Sequence, residues 1–339
     1  MRLGLALVCL LGLASSGTPL RMSSSPTPPQ ESLPSSVASS SQHSVFVCTN
    51  KWCHEKGAGA TLGAFIGLAE EGVVAVQGVN CLGRCNKGPN LRVRRQVEGS
   101  QPTWLEFNRI DSVDRVHKIL RDYLNVSVST AAVDCLNFNF QGNAHLDRSE
   151  VSEAIECYDK AIETGWADQE GVLLVMRATA YLQRAYSHRR ALTALLSRVA
   201  RDVPNTRLLE TIYQVGQQNG GRNPRLVMAL LESLANYCAE KESLHQTTKF
   251  RYGLYEFSLL RACADSIRAT QLLPNYAKCW LRAGDALAEL RRSESAADYY
   301  ARALDLDPSL TPSLADTIAR LRLRSVGDAS GDPMDMLTF

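Results

Sequence analysis

Two close pairs of cysteines constrain this chain more than any other feature of it. They read Cys48-Thr-Asn-Lys-Trp-Cys53 and Cys81-Leu-Gly-Arg-Cys85, with twenty-seven residues between the pairs. A spacer of that length holds one helix and one strand, so both pairs can return to a single centre. Four thiolates brought together bind zinc or an iron–sulfur cluster. Free cysteines are often small core residues, and Cys135, Cys157, Cys238, Cys263 and Cys279 fit that description, lying singly in apolar or helical surroundings. The quartet is set instead among Asn, Lys, His, Gly and Arg.

Spacing ranks the candidates. Structural zinc sites mostly use two-residue gaps, which form tight knuckles around one tetrahedral ion. Here the gaps are four and three residues, and wider loops suit two irons joined by two sulfides. A 2Fe-2S cluster therefore ranks first and zinc second, while a redox dithiol would use the two-residue gap of thioredoxin. Around the quartet the pattern predicts strands over 44–48, 73–80, 91–98 and 103–108. One helix carries Leu62, Phe65, Ile66 and Leu68, and another carries Val113, Val116, Ile119 and Leu120 behind an Asp111 N-cap. The order is β-α-β-β-β-α. Gly83 gives the backbone freedom to turn N–H groups toward sulfur, and Gly88-Pro89 is a turn. Lys51, Lys56, Arg84, Lys87, Arg92, Arg94 and Arg95 supply positive charge that offsets an anionic cluster and steers an acidic partner.

The stretch from Cys48 to Asn90, with Gly88-Pro89-Asn90 after the last cysteine, resembles the thioredoxin-like 2Fe-2S ferredoxins. The same superfamily holds the cluster domain of a small respiratory NADH dehydrogenase subunit. The resemblance covers residues 44–124. It implies a thioredoxin-like sheet, one-electron transfer, and Cys48, Cys53, Cys81 and Cys85 as the ligands of the cluster.

Beyond Leu124 strand alternation gives way to helical periodicity, which places a boundary near 125–132. Trp280, Gly284, Leu287, Ala296, Tyr300, Ala303 and Pro308 have the offsets of a tetratricopeptide repeat. One 34-residue period earlier stand Ala262, Ala269 and Pro274. A second copy runs through Phe138, Gly142, Leu146, Ala154, Tyr158 and Ala161, with Trp166 in place of the closing proline. A looser copy spans Val172 to Leu196, using Ala178, Tyr181 and Ala191. Pro204, Gly216, Gly220-Gly221 and Pro224 break the segment that follows. The expected architecture is an α+β thioredoxin-like ferredoxin domain over 44–125, then an all-α tetratricopeptide-like domain over 130–325 that docks a partner protein.

The two ends are treated apart from the folded parts. Arg2 and an apolar run to Ser15 read as a signal segment, followed by a Ser/Pro-rich stretch with one acid, Glu31. Residues 1–43 thus resemble the bipartite leaders that direct proteins to secondary plastids, with a simple secretory leader and a disordered linker as the alternative, and Cys9 is expected to leave with the leader. The plastid stroma is the expected location, with the secretory pathway or the mitochondrion as alternatives. In a secreted chain Asn125-Val-Ser would be a glycosylation sequon and the cysteines would tend to pair. Residues 327–339 are a loose tail. The formal net charge of +2 gives no basis for nucleic-acid binding, and no membrane span is expected in the mature chain. No hydrolase or phosphate-loop motif occurs, so an electron carrier is favoured over a catalyst. The alternatives are a scaffold with a structural zinc or cluster, and an iron–sulfur cluster carrier.

Overall fold

The structure is a computed structural model that describes residues 43–97, 100–201, 224–235 and 241–328. Residues 1–42 of the leader, Cys238, the breaks expected at Pro204, Gly216 and Gly220-Gly221, and the tail beyond Asp328 lie outside the described residues. The chain divides into two compact units, one up to Phe140 and one from Gln141. Among the described residues no helix is long and apolar enough to cross a membrane.

The first unit opens with β1 (His43–Cys48), α1 (Lys51–His54) and α2 (Ala58–Leu68). β2 (Val74–Val79), β3 (Asn90–Arg95), β4 (Thr103–Asn108) and α3 (Val113–Lys118) follow, and α3 winds into a wider turn at Ile119–Tyr123. The strand–helix order matches the one expected, with the short α1 added between β1 and α2. Ser112, not Asp111, caps α3: its hydroxyl accepts from Arg115 N–H at 3.4 Å. Asp111 instead pairs with the Arg115 side chain at 3.2 Å.

The four strands form one mixed sheet in the order β2-β1-β3-β4. β1 and β2 are parallel, with Val45 opposite Val76, while β3 runs antiparallel to both β1 and β4. Alternation along β1 sends Val45 and Val47 inward with Leu91 and Val93 of β3. α2 packs on β1 and β2 and also touches α3, burying Leu62, Phe65 and Leu68. Thr61 fastens α2 from inside, donating to the Ile110 carbonyl at 2.5 Å.

α4 (Thr130–Asp147) crosses the border between the units. After it come α5 (Val151–Glu163), α6 (Ala167–Arg201), α7 (Pro224–Ala235) and α8 (Lys241–Leu272), then α9 (Ala277–Glu289), α10 (Ser293–Leu306) and α11 (Thr311–Asp328). Two hairpins in this region repeat each other. A Cβ on Gly142 would stand 2.6 Å from the Tyr158 ring, and one on Gly284 would stand 2.6 Å from the Tyr300 ring. Tyr158 donates to Asn143 at 2.8 Å and Tyr300 to Asp285 at 2.9 Å. The turns agree as well, with Ser149 and Arg291 both at positive φ, 63° and 60°. A small residue on one helix admits an aromatic ring from the next, and the ring's hydroxyl finds its acceptor one residue along.

The looser repeat expected over 172–196 is not a hairpin. α6 runs unbroken through that segment, because nothing in Val172–Leu196 breaks a helix. Its partner across the seam is α8: Arg177 donates to both Asp265 oxygens at 2.8 Å. Ala262 and Ala269 of α8 are fully buried, as their place one period before Ala296 and Ala303 requires. Gly142 and Gly284 are 142 residues apart, which exceeds two periods of 34 by 74 residues. The surplus lengthens α6 and α8 beyond the repeat, where Leu192, Leu196 and Val199 close on Val227, Leu231 and Leu244. The middle repeat is therefore split by an inserted helical arm.

Gly142→Val and Gly284→Val, made separately, should each overpack the facing tyrosine and cost about 1–3 kcal/mol. Thermal unfolding followed by circular dichroism measures this, and unchanged midpoints in both would show that the glycine–tyrosine contact does not limit the packing.

Candidate metal centre

Strand direction brings the cysteines together. Because β1 and β2 are parallel, both end at one edge of the sheet, with Cys48 opposite Val79. The Thr49 N–H continues the ladder to the Val79 carbonyl at 2.8 Å. α1 begins at once and turns Cys53 back over that edge, its N–H bonded to the Asn50 carbonyl at 2.9 Å. The chain leaving β2 reaches Cys81, bends at Gly83 with φ +88° and passes Cys85 in a tight turn that touches α1. A cis Gly88–Pro89 bond then leads into β3 at Asn90. Since β3 is antiparallel to β1, it starts at the edge where β1 ends.

All four expected ligands thus lie in one group of strand-end loops. Their thiols act on one another both within and across the pairs. Cys81 and Cys85 are in contact, Sγ to Sγ, at 3.4 Å. Cys53 has its pKa pushed up to about 11, first by burial and then by the Cys48 thiol beside it. The Cys85 pKa is raised mainly by its hydrogen bond with Cys81. Cys48 and Cys53 are fully buried, whereas Cys85 is half-buried and Cys81 exposed. Among the described residues no three His, Cys, Asp or Glu side chains converge closely enough to hold one ion.

Four thiols at one sheet edge are the donor type that zinc and iron–sulfur clusters both use. A buried thiol with a pKa near 11 stays protonated at neutral pH unless a cation takes the proton's place. Donors face the sulfurs from several sides. Gly83 N–H points at Cys81 Sγ from 3.4 Å, as its left-handed backbone allows. Asn90 backbone N–H lowers the Cys53 pKa, and its side-chain nitrogen lies 3.7 Å from Cys53 Sγ. Such donors stabilise sulfur as thiolate and tune any metal it carries.

The surrounding cations do less than their number suggests. Arg84 and Arg92 both spend charge on Glu106, at 3.2 and 2.6 Å. Lys56 donates to the Cys85 and Asn86 carbonyls at 2.9 and 3.0 Å, so it ties the second cysteine loop to the first. Sequence reasoning missed the parts played by Asn90 and Trp52. Asn90 is buried and also donates to the Arg84 carbonyl at 2.6 Å, bracing the loop between Cys81 and Cys85. Its place directly after Gly88-Pro89 was the available signal. Trp52 is 60% exposed beside Cys53, and its position between the first two cysteines marks it as part of the rim.

Comparison with known proteins supports the helical half. Residues 277–310 match the tetratricopeptide repeat, which covers α9, α10 and the turn after them. The chain is 29% identical over 123 residues to diacylglycerol O-acyltransferase 3-1 of Glycine max. That match takes in 35% of this chain, which spans 34% of the length of that relative. No solved structure matches.

Gly88 closes the site from below, since a Cβ there would stand 2.9 Å from Cys53 Sγ and 3.4 Å from its Cα. Gly88→Ala should therefore displace the Cys53 sulfur and cut several-fold whatever metal the quartet holds, with the helical circular dichroism signal unchanged. Elemental analysis of the purified variant tests this, and wild-type metal content would show that the contact does not position Cys53.

Proposed function

We propose that the chain transfers single electrons through a 2Fe-2S cluster held by Cys48, Cys53, Cys81 and Cys85, while its helical repeats dock a partner protein. One observation carries the reading: four thiols are gathered in the loops at one sheet edge, with Cys81 and Cys85 in contact. A two-iron group takes one pair at each metal, whereas a single zinc draws all four sulfurs to within about 2.3 Å of one point. A parallel β-α-β unit joined to an antiparallel hairpin supports a thioredoxin-like assignment for the sheet. Bound there, the cluster would supply reversible one-electron chemistry, and the chain's part is to exclude water from Cys48 and Cys53 and donate N–H groups to sulfur. The exposed Cys81 is the natural point of contact for a redox partner, because that half of the quartet meets solvent.

The exposure of Cys81 also favours a second reading. A carrier must present part of its cluster to an acceptor's thiols, and Cys81 and Cys85 are the pair that could be exchanged. Tetratricopeptide repeats generally mediate protein–protein contact, so either reading gives the repeats the task of choosing the partner. The shared stretch with the acyltransferase is too small a part of either chain to bring acyl transfer with it. The plastid stroma remains the proposed location, on the strength of the Ser/Pro-rich leader and the need of the thiols for a reducing compartment.

Anaerobic purification should yield about two irons and two sulfides per chain, and reduction should give one S = 1/2 electron paramagnetic resonance signal. Stoichiometric zinc without iron would end the electron-transfer reading. Mixing the loaded chain with an apo-ferredoxin separates the two uses: retention of iron through repeated redox cycles marks a carrier of electrons, and its loss to the apoprotein marks a carrier of clusters.

A further inference from the structure

We propose that the face of α8 around Phe257, together with Arg184 of α6, docks an acidic protein segment that carries bulky apolar side chains. This rests on the reading that the helical repeats bind a partner and gives that partner its chemistry. Phe250, Phe257 and Leu260 are 68%, 51% and 59% exposed. Single exposed apolar residues are ordinary, but these three fall on one side of the helix and extend over about 15 Å. Gly253 lies between the two rings, and a Cβ placed there would meet nothing within 4 Å. The result is an apolar strip with an open notch, of a size that takes side chains from a partner helix at i, i+3 or i+4, and i+7.

Charge decides what kind of segment fits. The Arg184 guanidinium sits 4.8 Å from the Tyr181 ring centre and 5.8 Å from that of Phe257, and its Nε donates to Ser258 Oγ at 3.0 Å. Arg261 lies 5.7 Å from the same Tyr181 ring. Neither arginine has a carboxylate within 4.0 Å among the described residues, and Arg251, one turn before Tyr255, has none either. Arg177 and Arg189 of α6, by contrast, are matched: Arg177 holds Asp159 and Asp265, and Arg189 holds Glu289 at 2.6 Å. Two cations without a close carboxylate, Arg184 and Arg261, thus stand around Tyr181 and Phe257. Arg184 is part-buried, so a carboxylate arriving over Phe257 would meet a charge already partly stripped of water and held in place. A segment with Glu or Asp flanking Leu or Phe satisfies both features at once.

The test uses the full chain and two fluorescent helical peptides with the same Leu and Phe positions, one framed by Glu and one by Lys. Anisotropy titration should show the Glu-framed peptide binding about ten-fold tighter or better, with the difference shrinking as salt is raised. Phe257→Ala should weaken it about ten-fold. The double variant Arg184→Glu, Arg261→Glu should reverse the preference between peptides. Circular dichroism melts check that each variant is folded, and Arg261→Glu alone, at an exposed position, keeps the charge test open if the double variant is not. Equal binding of the two peptides, or no change in either variant, overturns the surface. If the Glu-framed peptide binds but ignores these substitutions, partner docking stands and its site lies elsewhere. If neither peptide binds, the docking reading fails with it, while the iron and sulfide count tests the cluster on its own. Binding to phosphatidylserine vesicles instead of the peptide, or self-association abolished by Phe257→Ala, would assign the strip to a membrane or a second copy and likewise overturn the proposal.

Discussion

Parallel pairing of β1 with β2 is the constraint on which the first unit depends. It requires a crossover, and α2 provides one while covering the inner face of the sheet. It also makes both strands end together, so Cys48 and Cys81 arrive at one edge although thirty-two residues separate them in sequence. An antiparallel β2 would have delivered Cys81 to the opposite end, about 17–20 Å away for a strand of this length. The rest of the site is local detail added to that edge. α1 returns Cys53, Gly83 bends the backbone toward Cys81, and Asn90 enters from β3 to brace the loop and face Cys53.

The pairs differ in surroundings as much as in position. Cys48 and Cys53 are sealed beneath the loops, and Cys81 meets solvent. Burial makes the inner thiolates costly and so rewards a bound cation, while exposure leaves the outer pair open to a partner. One small domain thus combines a protected half and an accessible half, which suits either passing electrons or passing a cluster.

In the helical unit the governing contact is a tyrosine ring seated on a glycine, made twice with nearly the same geometry. Repeat proteins tolerate large insertions because each repeat touches only its neighbours. Lengthening a connection also costs little once it is long. The middle repeat uses that tolerance. Its two helices still meet at the repeat seam through Arg177 and Asp265, and beyond the seam they continue into an arm with its own apolar cluster. The arm adds surface without disturbing the contacts that define the array, and the exposed strip of α8 lies where repeat and arm join.

By itself the sequence determined the order of the strands and longer helices around the cysteines, and the hairpins at Gly142–Tyr158 and Gly284–Tyr300. These are short-range matters. Alternation, helical spacing and the fit of a ring on a glycine are all written within a few turns of chain. Asp111 lost the cap to Ser112 because the choice between adjacent residues depends on the backbone angle at the helix start. Only the tertiary structure decided that Cys81 and Cys85 touch, that Asn90 faces Cys53, and that Arg84 and Arg92 are engaged by Glu106. It alone showed that the looser repeat is half of a long helix whose partner lies far along the chain, with Arg177 and Asp265 eighty-eight residues apart. Contacts across such distances depend on which strand edges and helix faces meet, and no local periodicity encodes that meeting.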